Sequence, residues 1–77
     1  MTRIDEDDEL LRRLGENLRR HREGSGKSQD TLANESGLHR TYIGAVERGE
    51  RNPTYISLLK YARALGRTVA DLLAGLP

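Results

Sequence analysis

The chain has 77 residues, 32% of them charged and 35% hydrophobic, with no Cys, Trp or Phe, so one small domain must build its core from Leu, Ile, Val, Ala and Tyr. A multi-domain enzyme is not expected, and neither disulfides nor thiolate zinc sites can staple the fold, which leaves packing or a partner subunit to stabilise it. The net charge of +1 conceals an asymmetry: five of the twelve acids fall at residues 5–9, whereas twelve of the thirteen basic residues lie beyond them, giving a basic body suited to a polyanionic partner.

The elements expected in chain order are all helical, because apolar residues recur at spacings of three and four and nothing alternates with period two. Residues 1–9 read as an acidic lead-in, placed at the positive end of the dipole of a first helix, and residues 10–77 as a single domain. That helix carries a stripe of Leu10, Leu11, Leu14 and Leu18 and ends near Gly24. Ser28 is suited to cap a short second helix from Gln29, and Gly37 closes it with a left-handed turn. A third helix is expected from about His39 to Arg48. Gly49 and Pro53 bracket its exit loop, Thr54 caps a fourth helix bearing Leu58, Leu59, Ala62 and Leu65, and Gly66 ends it. Thr68-Val69-Ala70-Asp71 resembles a capping box, opening a last short helix with Val69, Leu72, Leu73 and Leu76 as its apolar residues. No segment approaches the ~20 apolar residues of a membrane span, and Met1-Thr2-Arg3 leads into acid rather than into an apolar signal region, so a cytoplasmic protein without membrane association is expected.

Residues 28–48 carry the most informative spacing. Counting from Gln29 as position one, Ala33 falls at the fifth place, Gly37 at the ninth, Leu32 and Leu38 at the fourth and tenth, Ile43 at the fifteenth and Val46 at the eighteenth. Each has a mechanical reason. Ala33 lets two helix backbones approach, Gly37 makes the turn, and Ile43 with Val46 hold the second helix so that its other face can enter a major groove. This is a helix-turn-helix pattern.

The segments LGENLRRHREGSGKSQDTLA, SGLHRTYIGAVERGERNPT and LLKYARALGRTVADLL together resemble the phage-repressor type helix-turn-helix family, the Cro/cI-like or XRE-like regulators, over roughly residues 13–73. Within that family, LHRTYI followed by VERGERN is most similar to the small controller proteins of restriction-modification systems. The resemblance implies an all-α, five-helix domain that binds double-stranded DNA at a palindromic operator as a homodimer, in a bacterial or phage cytoplasm at the nucleoid. It needs no cofactor, no metal and no small-molecule ligand.

It further implies that His39, Arg40, Thr41 and Tyr42 read bases, with Gly44 and Ala45 behind them. The helical period agrees in part, since Thr41, Ala45 and Arg48 lie roughly opposite Ile43 and Val46 while Arg40 projects from the first turn. Arg40 is the strongest base-reading candidate, because a guanidinium can bond both O6 and N7 of guanine. Gly44, costly in a helix interior, implies a close approach by DNA or by a neighbouring side chain, with DNA the preferred reading. The family pattern assigns phosphate contacts to Gln29, Arg51 and Asn52, with Arg48 alongside, and pairs Arg22 with Glu47 as a structural link between the first and third helices. Thr31 stands where the family often has Glu, and His39 where it has a capping Ser or Thr, leaving His39 as a weak cap, a base contact or a phosphate contact. Residues 27–53 balance four bases with four acids, so tight non-specific binding is not expected. Tyr55, Tyr61, Val69, Leu73 and Leu76 are candidates for the dimer interface, and each is accounted for at least as well as part of the monomer core.

An antitoxin or adaptor that uses the same fold to hold a protein is the alternative function. An enzyme is the weakest reading, since His21 and His39 are the only histidines and nothing around them suggests a catalytic or metal set.

Overall fold

In a computed structural model, which describes residues 2–77, with side chains from residue 6 onward, the chain forms α1 (Thr2–Gly24), α2 (Gln29–Ser36), α3 (Arg40–Glu47), α4 (Tyr55–Ala64) and α5 (Val69–Leu73). Residues 2–9, with the acidic run, are the first turns of α1, and acidic residues suit the positive end of a helix dipole. Met1 lies outside the described residues.

Three of the four short helices start at a side-chain cap. Ser28 accepts from the Thr31 N–H at 3.0 Å and Thr54 from the Ser57 N–H at 3.1 Å, so the absence of Glu at Thr31 does not remove the first cap. Thr68 and Asp71 cap one another reciprocally, at 3.0 and 2.9 Å. Gly37 takes φ 79° and returns its N–H to Ala33, the conformation that lets α2 stop and the chain turn into α3.

The core joins all five helices: Leu18 of α1, Leu32 of α2, Ile43 and Val46 of α3, Tyr61 and Ala62 of α4, and Leu72 of α5. The α1 stripe is narrower than its leucines suggest. Leu18 is fully buried, Leu14 packs against the core and Leu11 is half-buried, but Leu10 is exposed, and Gly15 and Asn17 are buried on α1 as well. A Cβ on Gly15 would sit 2.4 Å from the Glu47 carbonyl oxygen, so α1 rests its backbone directly on the last turn of α3. Asn17, also buried, donates to the Leu72 and Ala74 carbonyls at 3.1 and 3.0 Å, satisfying the free end of α5 from α1. His21 reaches the Asp71 carbonyl at 3.1 Å.

The dimer-interface candidates divide. Tyr61 is 3% exposed and belongs to the core, which removes it from any surface: a phenol at this position serves both the apolar centre and the polar network described below. Val69 packs against the same core. Leu76 is half-buried, and Tyr55 and Leu73 are exposed.

Candidate nucleic-acid interface

The α2–turn–α3 unit is held from beneath by one carboxylate. Glu47 accepts from Arg22 Nε and Nη2 at 2.8 and 2.9 Å, from Gln29 Nε2 at 3.0 Å and from the Tyr61 hydroxyl at 2.6 Å. The hydroxyl also lies 2.8 Å from the Leu18 carbonyl; with one proton to give, it makes the shorter, charge-assisted bond to the carboxylate. Arg22 completes its fork on the Lys27 carbonyl at 2.9 Å. Side-chain exposure is 10% for Arg22 and 3% for Glu47, so the two residues that the family resemblance pairs form a buried, bidentate bridge. Burial pushes the Glu47 carboxyl up, and the bonds from Arg22, Tyr61 and Gln29 outweigh it and hold the group below the usual carboxylate range. Burial and the neighbouring Glu47 push the Tyr61 phenol up, which keeps it protonated as the donor.

This joint turns one face of α3 inward and leaves the other open. Ile43, Gly44, Val46 and Glu47 are buried, whereas Arg40, Thr41 and Arg48 are exposed and Ala45 half-exposed. Arg40, the first residue of α3, has Nε 2.7 Å from Asp30 Oδ1 at the start of α2. Arg48 is clamped by Glu50 through Nε and Nη2, at 3.0 and 3.1 Å. His39 occupies the cap position of α3 without a side-chain capping bond, so its imidazole is not used as a cap. Tyr42 is half-buried and packs against the core, and the Arg51 guanidinium lies over its ring, 5.5 Å from the centroid, a cation–π contact that ties the exit loop to α3. Asn52 is exposed beside it.

Two of the expected residues have neighbours within the protein. A Cβ on Gly44 would lie 3.1 Å from Arg48 Nη1 and 3.6 Å from Gln29 Oε1, so neighbouring side chains approach the backbone there. Gln29, expected as a phosphate contact, donates through its amide to Glu47 and so links α2 to α3. The sequence reading also passed over Asp30 and Glu50, the carboxylates that meet Arg40 and Arg48, and over Gly15. A glycine in mid-helix at a cost of ~1 kcal/mol was the available signal for the last. Among the described residues no group of three or more His, Asp or Glu is placed to hold a metal ion.

A short helix packed on a glycine turn, followed by a second helix whose open face carries Arg40, Thr41 and Arg48 beside Arg51 of the exit loop, is the geometry of a protein that reads the major groove of DNA. The helix-turn-helix family model matches residues 18–72, and the chain belongs to this family of DNA-binding transcriptional regulators. It is 53% identical to control protein C.SmaI of Serratia marcescens over 60 residues, 78% of this chain and 71% of that protein. With control protein C.BamHI of Bacillus amyloliquefaciens the identity is 49% over 49 residues, 64% of this chain and 60% of that one. Among solved structures, the restriction-modification controller protein C.AhdI from Aeromonas hydrophila superposes with a TM-score of 0.77 at 45% identity, covering 83% of this chain and 96% of that chain. The hypothetical transcription factor NHTF from Neisseria gives 0.78 at 40% identity, covering 87% and 77%. No described helix is long and apolar enough to cross a membrane.

Proposed function

We propose that this regulator is a restriction-modification controller, binding a palindromic operator as a homodimer in the bacterial cytoplasm. The observation that carries this reading is the similarity to C.AhdI, which spans 96% of that controller at 45% identity. Regulation follows from occupancy of the site and involves no chemical step and no cofactor. Arg40, Thr41, Tyr42 and His39 face the bases, while Arg48, Arg51 and Asn52 meet the flanking phosphates.

Dimerisation is supported by apolar surface that the monomer leaves uncovered. Tyr55 and Ile56, at the start of α4, are 63% and 56% exposed, and Leu73 at the end of α5 is 38% exposed. A second copy covering them adds the burial a domain of this size lacks and sets two α3 helices about 34 Å apart, one turn of DNA.

Selection from a random DNA pool tests the reading. Enrichment of an inverted repeat, with affinity that falls steeply with salt and a sedimenting species of two chains, is the expected outcome. A monomer at micromolar concentration, or enrichment of a single half-site, would remove the dimeric operator.

A further inference from the structure

The two arginines on the open face of α3 meet their carboxylates differently, and the difference bears on which of them can read a base. Arg48 is chelated through both Nε and Nη2 by Glu50, which ties its guanidinium to the exit loop. Arg40 forms an ion pair with Asp30, its Nε 2.7 Å from Oδ1 but without a directed hydrogen bond, and among the described residues neither of its Nη atoms makes a hydrogen bond. Its outer pair of nitrogens is left free. That pair is a donor fork of the kind that bonds guanine O6 and N7 together.

Asp30 is well placed to act as a fixed point. It is the second residue of α2, a helix anchored by the Ser28 cap on one side of it and by fully buried Leu32 on the other. Its carboxylate is 74% exposed and the Arg40 side chain 60%, so the pair adds little to fold stability. A free arginine must give up several rotatable bonds on meeting a base, and one drawn to a neighbouring carboxylate has surrendered part of that freedom beforehand. The same carboxylate, on the surface that meets DNA, also repels phosphate and weakens binding wherever no guanine compensates.

We propose that Asp30 is a specificity-determining residue of the DNA interface, acting through Arg40: it orients the guanidinium toward guanine and lowers affinity for unrelated DNA. The proposal rests on the DNA-reading role of α3. Wild type, Asp30→Asn, Arg40→Ala and the double variant are titrated against the selected operator, against operators changed at single base pairs across the half-site, and against unrelated DNA. Arg40→Ala marks the base pair that Arg40 reads. At that pair, Asp30→Asn is expected to reduce discrimination about three- to tenfold while unrelated DNA binds more tightly, and in the Arg40→Ala background to leave discrimination unchanged. Discrimination within twofold of wild type in Asp30→Asn, or an equal loss with and without Arg40, overturns the proposal while leaving DNA reading intact. A wild-type protein that enriches no sequence overturns both.

Discussion

On the inner face of α3, Glu47 holds its charge at 3% side-chain exposure under donors from α1, α2 and α4, whereas on the outer face Arg40 and Arg48 meet single carboxylates in open solvent. The inner charge lost its hydration on folding, and every lone pair had to be replaced by a protein donor, which fixes the helix in one place. The outer charges keep most of their hydration, so their ion pairs add little to stability and their remaining donors stay open to a phosphate or a base. One eight-residue helix thus carries a fixed half that sets its position and an open half that meets a partner.

The sharpest way to break this contrast is to remove one member of the inner pair. Arg22→Ala strands the Glu47 carboxylate in the core and is expected to lower stability by ~3 to 5 kcal/mol, read as a shift in the urea midpoint. Gly15→Ala tests the same joint through the backbone. Its Cβ would collide with the Val46 and Glu47 carbonyls, 2.6 and 2.4 Å away, so α1 must lift from α3 at a cost of ~1 to 3 kcal/mol. Gly24, with nothing within 4 Å of its added Cβ, is the control: Gly24→Ala is expected to leave the midpoint unchanged or slightly raised.

Smaller effects sharpen the account of the inner face. Tyr61→Phe removes one donor from Glu47 but leaves the bidentate arginine, and ~1 to 2 kcal/mol is expected from the urea midpoint. Acid acts on the same group. Because the Glu47 carboxyl is held below its usual range, its contribution to stability is complete above the ordinary glutamate pKa and is lost as pH falls through the lower folded value. Thermal unfolding followed from pH 7 to pH 2 should show this acid-side loss in wild type and a weaker one in Arg22→Ala, where the carboxyl has lost its strongest donor.

What the sequence made legible follows the same division. The helices, their caps and the turn at Gly37 are written in local chemistry, and Ile43 and Val46 are recognisable as inward-facing from spacing alone. Arg22 and Glu47 lie 25 residues apart, and nothing local joins them; the family resemblance did. Tyr61 stays open between core and interface in the sequence because a tyrosine on an amphipathic helix suits both, and only the position of Glu47 decides between them. Gly44 is ambiguous for a related reason: its spacing shows that something comes close, but the identity of the neighbour depends on how α2 crosses α3. Asp30 and Glu50 escaped notice because an exposed acid beside an arginine is ordinary on any helical surface, and their geometry appears only once α2 and the exit loop are placed around α3.

The smallest expected change in stability is also the one that separates the two faces most cleanly. Arg40→Ala removes a charge of the same kind as Arg22, from a pair of similar length, 2.7 Å against 2.8 Å. If distance decided, the two substitutions would cost alike. Hydration decides instead: the Asp30 carboxylate returns to water at no great cost, so the urea midpoint of Arg40→Ala should stay within about 0.5 kcal/mol of wild type. The loss should appear only with DNA, as ~1 to 3 kcal/mol of discrimination at one base pair. A destabilisation approaching that of Arg22→Ala would mean that the outer pair also holds the fold together, and the division of α3 into a fixed and an open half would fail.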